Sequence, residues 1–296
     1  MKVNYLDEEL LQKLSQIPNK PLSLAEGIYK GQHHSRKSGE EVEFREFRTY
    51  IRGDDFKKVD WKRSARQDKL YIREFEEELN YKVVLLLDHS GSMGQPMSNG
   101  LSKLEYGKYV ISALTYLFLK QGDQVQVSGF SDGVRVIFGF NNNNKQLSLL
   151  NDGLNNLVSD GVSQFSLLMD ILQGFRNERL VLMAVSDFVS EESHLLSVLD
   201  KIRMPKCRQV LIHLQNEEDK TFPFKGEIDF IDPETGESFY CNASEVRDRF
   251  IAQWQGYLDR VAHWGRSVNV EFRTFDTDIH YSENLLNFIK SYHIKI

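Results

Sequence analysis

Cysteine is scarce in this 296-residue chain. There are two, Cys207 and Cys241, far apart and without metal-site spacing, which excludes a disulfide framework and a thiolate metal cluster. A positive excess is lacking as well: 37 Lys and Arg stand against 43 Asp and Glu, for a formal charge of −6. That balance argues against a general nucleic-acid or membrane-surface binder. Long apolar runs are missing. VVLLL at 83–87 is far short of the roughly 20 residues that cross a bilayer as a helix. The opening stretch, MKVNYLDEELLQKLSQI, is amphipathic and acidic and carries no apolar signal core. The expectation is a soluble, cytoplasmic protein with reduced thiols, no membrane insertion and no nucleic-acid partner. There is no glycine-rich phosphate loop, no zinc signature and no internal repeat. The NAS triplet at 242–244 matches a glycosylation site but is accidental without secretion.

What is present is a hydrophobic content of 41%, ample for a core. Residues 1–80 differ in texture from 81–296. Leu6, Leu10, Leu11, Leu14 and Ile17 recur at helical spacing until Pro18 and Pro21. A charged, turn-rich segment follows, in which EVEFREFRTYI and KLYIREF read as strands. The reading is an N-terminal helix and a small β-rich accessory module over 1–80. From Tyr81 strands and helices alternate. YKVVLLLD, RLVLMAVSD and CRQVLIHLQ are apolar throughout, as strands buried on both faces of a parallel sheet are. DQVQVSGFS and VRVIFGF form a hairpin across Asp132-Gly133, and GEIDFIDPETGESFYC forms another about its Pro-Glu-Thr-Gly turn. KLEYGKYVISALTYLFLKQG is a helix ending at Gly122, and ASEVRDRFIAQWQGYLDRVAHWG a long one ending at Gly265. Trp254, Tyr257 and Trp264 on it are core by spacing. The fold class is α/β: a doubly wound, mainly parallel sheet with one antiparallel edge strand over 81–296.

In such sheets ligands bind beyond the carboxyl ends of the strands, where strand order reverses. Two predicted strands end in acid, at Asp88 and Asp187. Asp88 opens DHSGSMG, in which Ser90 and Ser92 alternate with other residues and so face one way. A hard dication such as Mg²⁺ takes oxygen ligands at roughly 2.1 Å in an octahedron. One carboxylate and two hydroxyls from this turn, with Asp187 as the second carboxylate, balance its charge and leave positions for water or a partner's carboxylate. The bland alternative is a Ser-Gly turn and nothing more.

DHSGSMG resembles the Asp-x-Ser-x-Ser motif of von Willebrand factor A domains, the first loop of their metal-ion-dependent adhesion site. The resemblance implies a second-loop hydroxyl, matched best by Ser163 in DGVSQFSLL with Ser166 competing, and a third-loop aspartate, matched by Asp187 in LMAVSDF. The implied metal set is Asp88, Ser90, Ser92, Ser163 and Asp187, holding Mg²⁺ or Mn²⁺. The wider chain, from about Gly27 onward, resembles the bacterial family called "domain of unknown function 58". Its hallmark is matched by EVEFREFRTYIRGDDFKKVDWKRSARQDKLYIREFEEEL, with Arg52 and Lys57 where proline and arginine are expected. Many such proteins carry membrane helices ahead of this region, and many are encoded beside MoxR-type AAA+ ATPases. The resemblance therefore implies no enzyme but a protein-binding adaptor that works with such an ATPase on a client complex, through a partner's Asp or Glu at the metal.

Rival readings remain. GFSDG at 129–133 has the form of a hydrolase nucleophile elbow, with Ser131, Asp187 and His280 in a permitted order, but an elbow leads into a helix and VRVIFGF reads as a strand. A structural scaffold with an empty site is the other. RGD at 52–54 imitates an adhesion tripeptide by coincidence; Asp54 and Asp55 are expected to cap turns or pair with Arg63 and Arg66. HHSRK at 33–37 reads as a solvated basic loop. Glu74, Glu76, Glu77 and Glu78 read as a solvated face, or as partners of the upstream arginines.

Overall fold

The uniformly apolar runs become the centre of a six-stranded sheet. The computed structural model describes residues 2–15, 17, 42–51, 54, 56–66, 69–77, 81–97, 100–143, 146–175, 178–201, 204 and 206–293. Its sheet contains β3 (Lys82–Asp88), β4 (Gln124–Phe130), β5 (Val134–Asn141), β6 (Leu180–Ser186), β7 (Cys207–Gln215) and β10 (Val270–Asp276), in the order β10-β7-β6-β3-β4-β5. All neighbours are parallel except β4 and β5, so β5 is an antiparallel edge strand. This is the doubly wound arrangement read from the alternation of elements. From β3 the chain moves outward to β4 and β5. It then returns to β6 on the other side of β3 and moves outward through β7 to β10. Strand order thus reverses between β3 and β6, and Asp88 and Ser186 end those two strands.

Helices cover both faces. On one lies α3 (Lys103–Lys120), started by Ser102, whose hydroxyl accepts from Glu105 N. Gly107 lets it approach the sheet: a Cβ there would stand 2.6 Å from Leu87 Cδ1. On the other face, α5 (Leu167–Gln173), α6 (Glu192–Lys201) and α8 (Ala243–Val268) bury Leu168, Leu195, Tyr257 and Val261 against Leu86, Leu182 and Leu211. Trp254 and Trp264 are half-buried against that core. The remaining helices of this body are α4 (Leu147–Asn155), α7 (Glu217–Thr221) and α9 (Tyr281–His293), and the second hairpin is β8 (Glu227–Ile231) with β9 (Ser238–Asn242). Among the described residues, no helix is long and apolar enough to cross a membrane.

Two expectations are corrected. Gly265 does not end α8. The helix runs to Val268, and Asn269, in the left-handed region at φ 65°, closes it by donating its N–H to Gly265 O. Gly265 is glycine because a Cβ there would lie 2.8 Å from Val270 O, on the strand that the chain turns back to form. The second correction concerns the helix near the N-terminus, α1 (Glu8–Ser15). The chain divides into two compact units, Met1–Gly31 with Tyr81–Ile296, and Gln32–Asn80. The expected 1–80 module therefore loses α1 to the larger unit. Its Leu10 and Leu14 are buried, Tyr5 Oη donates to Glu105 at 2.8 Å, and Tyr281 Oη donates to Asp7 at 2.6 Å. A helix of this length is marginal alone in water and takes its stability from burying its apolar stripe.

The smaller unit is β-rich. Within it, β1 (Val42–Thr49) pairs antiparallel with β2 (Tyr71–Glu77), and Asp60 caps a one-turn helix, α2 (Trp61–Ser64), by accepting from Arg63 N. Asp54 pairs with Arg48 at 2.7 Å and also accepts from Ile51 N. Arg63 lies 4.2 Å over the Phe47 ring. Arg52, Gly53, Asp55, Glu78 and the HHSRK stretch lie outside the described residues, and so do the side chains of Glu74, Glu76 and Glu77.

Candidate metal centre

Asp88 ends β3 and is wholly buried, as is Ser90. The turn after Asp88 folds on its own oxygen: Ser90 N donates to Asp88 Oδ1 at 2.9 Å. Ser92 opens a short 3₁₀ turn, Ser92–Gly94, that brings its hydroxyl back to Ser90 Oγ at 3.1 Å. Ser90 and Ser92 thus converge through a helical turn, with Gly91 at φ −56° and ψ −39°, and not through the extended backbone that alternation assumes. From the end of β6 comes Asp187, 2% exposed, which accepts from Ser92 Oγ at 3.4 Å. The following Phe188 takes φ 50°, and its N–H donates to Ser186 Oγ at 2.9 Å. That left-handed residue turns the chain away directly after the aspartate.

The loop before α5 supplies the third element. Backbone bonds stitch it to the first loop, with Asp160 N donating to His89 O at 2.8 Å and Gly91 N to Gly161 O at 3.0 Å. Gly94 is required, because a Cβ there would fall 2.1 Å from Ser159 Oγ. This seam places Ser163, whose hydroxyl donates to Asp88 Oδ2 at 2.8 Å. Ser166 is exposed at the start of α5. All five expected residues, Asp88, Ser90, Ser92, Ser163 and Asp187, therefore meet at the carboxyl ends of β3 and β6, with Ser163 rather than Ser166 beside Asp88.

Three participants were not legible as site residues. Ser186 donates to Asp88 Oδ2 at 2.6 Å. Lys103, at the start of α3, is buried and sits 2.8 Å from Asp219 Oδ2 and 3.6 Å from Asp187 Oδ2. Glu234, in the turn between β8 and β9, accepts from Ser163 N at 3.4 Å through Oε2, and its Oε1 is buried with no hydrogen-bond partner. Ser186 adjoins the predicted aspartate, so strand-end position was a usable signal. Lys103 and Glu234 gave none, since each arrives from a distant element.

The electrostatics are those of a carboxylate cluster short of positive charge. Burial, and next the nearby Asp187, push the Asp88 carboxyl up to about 6, against the hydrogen bonds from Ser186, Ser90 and Ser163 that favour its charged form. Burial opposes the charge on Lys103, yet Asp187 and Asp219 outweigh it and hold that ammonium above its ordinary range. Lys103 makes its shorter contact to Asp219, and Glu234 Oε1 has no hydrogen-bond partner. Among the described residues no group of three or more His, Cys, Asp and Glu is arranged as a metal cluster. The donors beside Asp88 and Asp187 are hydroxyls, the hard neutral oxygens suited to Mg²⁺ or Mn²⁺. The donor set and the orphaned Glu234 oxygen fit such an ion.

The hydrolase arrangement does not assemble. Ser131 lies in the β4–β5 hairpin turn, with strand rather than helix after it. Its hydroxyl is 3.3 Å from His89 Nε2, whereas His280 Nδ1 contacts Ser282 Oγ.

A search of curated proteins gives no match. Among solved structures, the chain is similar to the conserved hypothetical protein BatB from Bacteroides thetaiotaomicron, at 15% identity over 72% of this chain and 99% of that one, with a TM-score of 0.45. It is similar to the SpRpn10 VWA domain at 15% identity, over 71% and 95% of the two chains, with a TM-score of 0.43. A von Willebrand factor type A structure from Catenulispora acidiphila follows at 9% identity, 75% and 44% coverage and a TM-score of 0.44. Residues 46–256, more than half of the chain, match the family model described as "Protein of unknown function DUF58", and the chain belongs to that family.

Proposed function

We propose that this protein is a metal-dependent protein-binding adaptor, with Asp88, Ser90, Ser92, Ser163 and Asp187 holding Mg²⁺ or Mn²⁺. One observation carries the reading: oxygen donors from three separate loops converge at the point where strand order reverses. When bound, the ion supplies a positive centre on which a partner's Asp or Glu can close a charged contact in a partly dry interface. The chain's own groups do the rest. Ser90 N and the Ser163 and Ser186 hydroxyls orient the Asp88 carboxylate. Lys103 tethers Asp187 to Asp219 and so fixes the third loop against α7. Binding rather than catalysis is the reading, because the converging groups are oxygen donors suited to holding an ion. The partner class is a MoxR-type AAA+ ATPase, taken from the resemblance of the leading segment, with a client complex as the third component.

The test is capture of such an ATPase, from the organism that encodes this chain, on immobilised protein with Mg²⁺ present. Asp88→Ala and added chelator are each expected to abolish capture while circular dichroism stays unchanged. Capture that survives both would overturn the adhesion mechanism.

A further inference from the structure

Asp88, Ser90 and Asp187 are 0%, 0% and 2% exposed, while Ser92 and Ser163 are half-buried. Part of what covers the first loop belongs to this chain. A Cβ on Gly91, in the middle of the metal loop, would lie 2.6 Å from Pro233 O and 3.4 Å from Glu234 Cγ. The tip of the β8–β9 hairpin is thus seated on that loop, and glycine at 91 makes the seat possible.

The tip is built to aim a carboxylate. Asp232 Oδ1 accepts from Glu234 N at 2.8 Å, Asp232 Oδ2 accepts from Thr235 Oγ1 at 2.9 Å, and Gly236, at φ 74°, donates back to Asp232 O. This Asx-type turn fixes the backbone of Glu234 without using its side chain. The side chain lies beside the second loop, with Oε2 toward Ser163 N and Oε1 buried without a partner. An anionic oxygen buried in that way is costly unless a cation or donor meets it, and the oxygen cluster is where a cation would be. Part of the hairpin is open: Ile231, Phe239 and Tyr240 are 67%, 64% and 65% exposed, while Phe230 packs on Phe222 and Phe224. Gly226, at φ 75°, joins the hairpin to the preceding segment and accepts from Ala243 N at 2.8 Å.

We infer that Glu234 is an internal ligand of the metal centre, a tethered carboxylate in the position that a partner's Asp or Glu must take, so that partner binding requires the hairpin to lift. This rests on the metal reading proposed above. A tethered group competes at its effective concentration rather than its bulk one. Free carboxylates therefore bind the intact protein weakly, and a partner that also engages the exposed hairpin residues displaces Glu234 more readily than a small acid does.

The test uses the full chain and Mn²⁺, with water-proton relaxation reporting affinity and the number of exchanging waters on the ion, and acetate as the carboxylate probe. Glu234→Ala and the conservative Glu234→Gln are each expected to weaken Mn²⁺ binding by about tenfold or more. Glu234→Ala also exposes the ion to additional water and strengthens the acetate response. Asp232→Ala, which loosens the turn and leaves Glu234 in place, is expected to fall between wild type and Glu234→Ala. Equal Mn²⁺ affinity, hydration and acetate response in wild type and Glu234→Ala would overturn the internal-ligand inference and leave the metal centre standing. Absence of Mn²⁺ binding in wild type would instead remove the metal reading itself.

Discussion

The Ser163 hydroxyl donates to Asp88 Oδ2 across 2.8 Å, joining two residues 75 positions apart. That bond selects between two serines that are equivalent by composition. The seam from Asp160 N to His89 O and from Gly91 N to Gly161 O fixes the loop ahead of Ser163, whereas Ser166 already belongs to the start of α5.

Ser163→Ala is therefore expected to weaken Mn²⁺ binding by about tenfold or more and to lower stability by about 1–3 kcal/mol, because a buried carboxylate loses a donor. Ser163→Thr keeps the hydroxyl and should bind nearly as wild type. Ser166→Ala should bind unchanged. Parallel calorimetric titrations and melts of the three variants distinguish these outcomes, and a larger loss in Ser166→Ala would reassign the second loop.

Gly265→Ala tests the correction to α8. A helix-stop glycine would tolerate or resist alanine through its backbone conformation alone. Here the added methyl would stand 2.8 Å from Val270 O, backbone that can yield only by shifting β10. The expected cost is about 1–3 kcal/mol, read as a lower denaturant midpoint. Asn269→Gly, at the left-handed position that closes the helix, should be close to neutral. An Asn269→Gly loss larger than that of Gly265→Ala would restore the simpler reading.

His213 predicts how stability responds to acid. Burial, with a smaller effect of Lys103, pushes its imidazole down to about 3, and its ring stacks on Phe272 with centroids 5.6 Å apart. The folded state keeps it neutral while the unfolded chain takes a proton below its ordinary pKa. The unfolded state thus binds more protons between these values. The His213 contribution is fully present above about pH 6.5 and is lost as pH falls toward 3. Between pH 7.5 and 5 this is expected to remove about 2 kcal/mol. His213→Gln, which does not titrate, should flatten that part of the profile. Equal slopes in urea denaturation of the two proteins would show that His213 is not the group responsible.

The sheet was legible in the sequence because strands buried on both faces leave uninterrupted apolar runs, as in β3, β6 and β7. Four of the five expected oxygen-bearing residues were legible for a related reason: Asp88, Ser90 and Ser92 lie in one short motif at the end of such a run, and Asp187 follows a second. Ser163 was indicated only by the family resemblance, with Ser166 beside it as an equal in composition. Glu234 and Lys103 were not legible, because a turn glutamate and a helix-start lysine are ordinary surface residues until the fold brings them in. Gly265 misled because glycine closes helices often, and its true constraint is a strand that meets it only after the chain reverses. The place of α1 was hidden similarly: its leucine stripe declares a helix but not the surface that receives it.

The central claim is that this oxygen cluster holds a dication. The direct measurement is calorimetric titration of the metal-stripped chain with Mg²⁺ and with Mn²⁺, beside Asp88→Ala. One saturable site in the wild type and none in Asp88→Ala is the expected result. Heats of dilution alone in the wild type, or the same binding in both proteins, would contradict it.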